Sequence, residues 1–231
     1  MNLIGPRFAQ SPLAARVVPF AVFIGLTFCQ DFFGEAGRYW IYLAKTLLCA
    51  WLIVVVRPAI AEMRWKLSWA GVVVGVAVFV MWVGLPGLLK WLGSSGSFAL
   101  FKSARTAWNP AAQFAGSPAL IWLFIGAHIG GSALVVPPLE EVFYRSFVYR
   151  YLARKDFESV SLGQFLWLPF LVTSVVFGLE HREWLAGILC GFAYQGLVCW
   201  KNRLGDAITA HAITNALLGV WVVWRGAWHF W

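Results

Sequence analysis

Three short groups of residues stand out in the second half of this chain: Glu140, Glu141 and Arg145; Phe177 and His181; His211 and Asn215. Carboxylates and imidazoles are the groups of general acid–base chemistry. Amide and ring N–H groups are donors that can stabilise an oxyanion. Glu141 and Arg145 are four residues apart, so on a helix they share a face and can pair. Glu140 lies about 100° round the helix from Glu141, free to point into a cavity while its neighbour is neutralised. Both glutamates follow Pro137-Pro138. That order places them in the first turn of a helix starting at Leu139, where the helix dipole favours a carboxylate. Phe177 and His181 are four apart at the polar end of one apolar segment, and His211 and Asn215 are four apart near the start of another. Three helices thus offer a carboxylate, two imidazoles and an amide.

Each piece also has a plainer meaning. Glu141–Arg145 is in the first place a structural ion pair. Glu140 can cap a helix, His181 can sit at an interface among Glu180, Arg182 and Glu183, and His211 and Asn215 can bond a neighbouring helix. Lys45 and Asp31 are expected to snorkel or pair, and His128 and His229 stand outside any constellation. The functional reading draws its weight from the three groups occurring together.

The elements that must position these residues are membrane spans. Of 231 residues, 61% are hydrophobic and 12% are charged, about half the charge content of a soluble domain. A charge inside a bilayer costs roughly 2.5–3.5 kcal/mol on insertion scales, which makes an intramembrane ionisable residue a functional candidate by default. Spans of about 20 apolar residues are expected at 17–33, 39–56, 68–91 (interrupted at Gly84-Leu-Pro86-Gly87), 118–136, 165–180, 184–200 and 207–224. The fourth is expected to stop at Pro137-Pro138, with a helix from Leu139 to about Arg154 that does not fully cross. Residues 93–118, rich in Gly and Ser, read as an extramembrane loop. The expected fold is therefore an all-α polytopic transmembrane bundle of about seven spans, or eight if the segment after Pro138 crosses, a single integral membrane domain over 1–231 with an intramembrane cavity. An inside N-terminus puts ten basic residues inside against six outside, in keeping with the positive-inside rule.

The net charge of +8 falls mostly between apolar runs, as membrane anchoring requires, and no nucleic-acid-binding module is present. Fifteen Trp suit interfacial belts. Cys29, Cys49, Cys190 and Cys199 all fall in apolar segments without a CxxC pair, and read as small buried hydrophobes. The first apolar run follows Arg7 and Arg16 without a small-residue cleavage site, which reads as a retained signal anchor.

Glu140-Glu141-Val-Phe-Tyr-Arg145 resembles the EExxxR motif of the CPBP intramembrane proteases, the CAAX-protease and bacteriocin-processing family. Phe177-Gly-Leu-Glu-His181 resembles that family's FxxxH motif, and His211-Ala-Ile-Thr-Asn215 its HxxxN motif. Ala186-Gly187 followed by Gly191 resembles its Ala-Gly-xxx-Gly helix, where small residues permit close approach. The resemblance spans about 137–219, and size and N-terminus resemble the bacterial members that accompany exosortase systems. It implies hydrolysis of a peptide bond near the C-terminus, or in a membrane-proximal segment, of a membrane-associated protein in a bacterial cytoplasmic membrane. Glu140, assisted by His181, would activate a water; His211 and Asn215 would stabilise the oxyanion; Glu141 and Arg145 would hold the motif helix. No cofactor and no metal are implied. Two rivals remain open at this point: a zinc protease, since two His and one Glu is a known catalytic zinc set, and a non-proteolytic membrane scaffold or immunity protein. A transporter would spread its charges along a path.

Overall fold

The computed structural model describes residue 8 and residues 10–93 and 107–231; the middle of the 93–118 loop, with Lys102 and Arg105, lies outside them. The described residues form α-helices and short 3₁₀ and π turns, with no strand among them. Helix α1 (Pro12–Cys29) starts at Ser11, whose hydroxyl accepts the Ala14 N–H at 3.2 Å, satisfying one of the free donors of the first turn. Gly34, at φ +70°, opens α2 (Gly34–Val56), a conformation that glycine adopts without steric cost. Helix α2 runs back along α1, so that the Lys45 ammonium donates to Thr27 Oγ1 at 2.8 Å and Gln30 Oε1 at 3.3 Å. Lys45 is 3% exposed and lies over the rings of Phe23 and Tyr42. It therefore pairs inside the bundle and does not snorkel.

Helix α3 (Trp69–Trp91) is capped by Ser68 and continues through Pro86, so the expected interruption at Gly84–Gly87 is absent. A short α4 (Pro110–Gln113) precedes α5 (Pro118–Gly130). The expected stop at Pro137-Pro138 is also absent. A π turn (Gly131–Val135) leads from α5 into α6 (Val136–Glu141), and a second π turn (Val142–Val148) leads into α7 (Tyr149–Ala153). Residues 118–153 are thus one helix of 36 residues. The two glutamates sit inside it, not in a first turn, and the dipole argument for them falls away.

The physical reason lies in the hydrogen-bond register. Val136 N–H bonds the carbonyl of Gly131, five residues back. The next step of that register joins position 137 to the Ser132 carbonyl, and Pro137 has no N–H to give. Asn215 supplies the missing donor: its Nδ2 lies 2.8 Å from Ser132 O. Prolines persist in membrane helices where a neighbour satisfies the freed carbonyl in this way.

Helices α8 (Trp167–Leu179), α9 (Trp184–Lys201) and α10 (Leu204–Arg225) complete the bundle. Four helical stretches are long and apolar enough to cross a membrane: Pro12–Ala59, which folds back at Gly34, then Trp69–Trp91, Pro118–Ala153 and Leu204–Arg225. Helices α8 and α9 approach through glycines. A Cβ on Gly178 would lie 2.3 Å from Ile188, and one on Gly191 would lie 2.7 Å from the Ser174 carbonyl. Gly187 meets the Cα of Gly178, so the small-residue stripe of α9 does what its spacing predicts. Gly75 likewise lets α3 touch the α10 backbone at Ala210.

At the end of the bundle where α1 begins and α2 ends, Glu62 gathers three helix segments. It accepts from Arg16 at 2.7 Å and Arg150 at 3.2 Å, and also from the Ser146 hydroxyl. Arg16 reaches Glu158 as well, at 3.2 Å. This cluster ties the N-terminal hairpin to the helix that carries the first motif.

Candidate active site

Glu140 and Glu141 end α6, on neighbouring faces, as their adjacency requires. Glu141 is fully buried and bridges two partners: Arg145 Nε lies 3.2 Å from its Oε2, and His211 Nδ1 lies 2.9 Å from its Oε1. The Arg145 pairing is the one that four-residue spacing predicts. The His211 contact joins residues 70 positions apart and has no local signal. Arg145 is also fully buried, and its guanidinium lies 4.1 Å from the Phe177 ring centroid, with Tyr144 and Tyr194 farther round it at 5.8 Å each. Phe177 thus has a physical task. Its ring face holds a desolvated cation, an interaction worth about 2 kcal/mol when water is excluded.

Glu140 points into a cavity of about 260 Å³. Its Oε2 makes no hydrogen bond and lies 3.9 Å from His211 Nε2. His181 follows the end of α8, and its Nδ1 is 2.7 Å from the Phe177 carbonyl. A carbonyl only accepts, so Nδ1 carries the proton and Nε2 is free, a tautomer fixed by the helix backbone. Tyr194, on α9, stacks on His211 with centroids 5.1 Å apart and donates to Thr214 Oγ1 at 2.8 Å. Trp82, from α3, sits edge-on to His181. Asn215 lies one turn beyond His211 on α10 and faces the same cavity.

The cavity wall therefore brings together Glu140, Phe177, His181, His211 and Asn215, with Glu141 and Arg145 packed behind. Residues 116–217 match the family model described as type II CAAX prenyl endopeptidase Rce1-like. This segment, a little under half of the chain, is similar to the Rce1-like family. The family is one of endopeptidases, and the long apolar helices make the chain an integral membrane protein. No curated protein and no solved structure matches the chain.

The cavity also holds residues that sequence reasoning set aside. His128 and His229 line it, although no spacing linked them to the motifs. His128 stacks on Tyr42 and Trp231, with centroids 4.8 and 4.2 Å away. Glu180 places a carboxylate oxygen within 4.8 Å of both Glu140 and His181. It sits inside the Phe177–His181 motif, and that position was the available signal. Tyr144 donates to Glu180 Oε2 at 2.7 Å, a pairing across 36 residues that only the packing of α8 on the motif helix creates.

Proposed function

We propose that the protein is an intramembrane glutamate-type endopeptidase. Its substrate is a membrane-associated protein or peptide, cut near the C-terminus or in a membrane-proximal segment, in a bacterial cytoplasmic membrane. The observation that carries this reading is the convergence of Glu140, His181, His211 and Asn215 on one cavity within the Rce1-like segment. Their oxygen and nitrogen atoms face a space that a substrate carbonyl and a water can share.

The water sits between Glu140 and His181. Two hydrogen bonds of about 2.8 Å span up to roughly 5.6 Å, and a ring nitrogen of His181 lies within 4.8 Å of a Glu140 carboxylate oxygen. Glu140 takes a proton as the water oxygen attacks the carbonyl carbon. The oxyanion turns towards α10. Asn215 has two amide N–H groups; Ser132 uses one and the other serves the oxyanion. His211 donates from Nε2 only in the form that carries both ring protons, because Nδ1 is committed to Glu141. Collapse returns the proton from Glu140 to the amide nitrogen as the C–N bond breaks, leaving a carboxylic acid and an amine, and transfer of the acid's proton to the amine gives the carboxylate and ammonium products.

Quantitative comparison of membrane-protein C-termini in cells carrying the intact protein or Glu140→Ala tests the reading. A longer, uncleaved form of at least one membrane-associated protein is expected in the variant. Identical C-termini in both, with both proteins at equal level, would overturn it.

A further inference from the structure

We propose that Glu140, Glu180 and His181 form a binding site for one divalent transition-metal ion of the zinc type, between the end of α6 and the end of α8. One donor atom from each residue lies within 4.8 Å of the others. Glu140 is 6% exposed, and its Oε2 has no hydrogen-bond partner among the described residues. A buried carboxylate oxygen without a hydrogen bond, with His211 Nε2 no nearer than 3.9 Å, has an open coordination position towards the cavity. His181 is prepared for a cation, since its Nδ1 proton is held by the Phe177 carbonyl, which leaves the Nε2 lone pair free. Glu180 has its Oε2 oriented by the Tyr144 hydroxyl. Both contacts are of the outer-shell kind that fixes metal ligands. Glu180 is the exposed member of the set and gives an ion its way in.

The chemistry of the donors selects the ion. One imidazole and two carboxylates suit zinc and its neighbours better than calcium or magnesium, which take oxygen alone. Zinc–ligand bonds of about 2.0–2.2 Å put tetrahedral donors roughly 3.4 Å apart. The set, within 4.8 Å as it stands, would close to that spacing on binding through the side-chain torsions of the two glutamates. The fourth position is left for water. Two carboxylates also balance the ion's charge, so the filled site is neutral in a region where charge is costly.

An ion held there uses the lone pair of Glu140 and occupies the place of the attacking water. The metal is then an inhibitor and not a cofactor. This consequence rests on the hydrolytic reading above; the binding itself does not.

The test uses the full chain, purified in detergent, stripped by a chelator and titrated with Zn²⁺ in a calorimeter without substrate. One Zn²⁺ per chain is expected. Tyr144→Phe should weaken binding by about 10–100-fold, the usual cost of losing an outer-shell partner. Glu180→Gln should weaken it further, with the melting temperature of the metal-free protein unchanged. Glu183→Gln, which removes another carboxylate of the cavity wall, should leave binding intact. Absence of stoichiometric binding, undiminished binding by Glu180→Gln, or an equal loss in Glu183→Gln would each overturn the site. Because no turnover is measured, any of these results leaves the peptidase reading standing. A chain that binds zinc but cuts nothing would sink only that reading.

Discussion

Replacing Asn215 by alanine removes two N–H groups that do different work. One bonds the Ser132 carbonyl at 2.8 Å, the carbonyl that Pro137 leaves free. Losing it strands a backbone acceptor between helices. The cost is about 1–2 kcal/mol, the range for an unsatisfied buried group and for interhelical hydrogen bonds in membranes. At roughly 2–4 °C per kcal/mol for a chain of this size, a fall in melting temperature of several degrees is expected. The second N–H is assigned to the oxyanion. Removing one such donor typically costs about 10²–10³ in kcat and leaves ground-state binding little changed. Pro137→Ala separates the two effects, since it restores a backbone N–H one π turn on from Ser132. The double variant Asn215→Ala/Pro137→Ala should regain most of the lost stability and none of the lost turnover. The assay is peptide hydrolysis per folded molecule, with thermal unfolding measured on the same preparation. Wild-type turnover by Asn215→Ala, or turnover that returns together with stability, would make Asn215 purely structural and refute the oxyanion assignment.

Glu141→Gln leaves Arg145, fully buried and ion-paired to Glu141, without that partner; a loss of about 3–5 kcal/mol is expected, as for one partner removed from a buried pair, and a melting temperature like that of Glu140→Gln would contradict it. The Glu62 cluster predicts a pH dependence. Burial alone would raise the Glu62 carboxyl, but the Ser146 hydroxyl and the Arg16 guanidinium outweigh it and hold it below the ordinary glutamate value. Its stabilisation is therefore fully present above the unfolded pKa, about 4.3, and is lost as pH falls through the lower folded value. Acid titration of the melting temperature should show that loss in the wild type and a flatter acid limb in Glu62→Gln. The same cluster places the start of α1 and the segment after α7 at one end of the bundle. Cysteines at Ser11 and Ser159 should consequently be labelled from the same side of intact cells, the cytoplasmic side by the basic-residue count; labelling of the two from opposite sides would refute the arrangement.

Membrane residence and helical architecture were legible in the sequence, because apolar runs near 20 residues have no other stable home and a spanning backbone must bond internally. The pairing of Glu141 with Arg145 was legible too, since four-residue spacing on a helix is a local rule, and the glycines of α9 declared a close helix contact. The local rules failed at Pro137-Pro138. A proline ends a helix because it frees a carbonyl, and whether that carbonyl finds another donor is decided by a different helix. Asn215, 83 positions from Ser132, is that donor. The partners that give the candidate site its chemistry are of the same kind: Glu141 with His211, Tyr144 with Glu180, and the Phe177 ring over Arg145. Spacing along one helix fixes which side chains share a face. It carries no information on what that face meets, and only the packing of α6, α8 and α10 around one cavity decided which partners from other helices the two carboxylates meet.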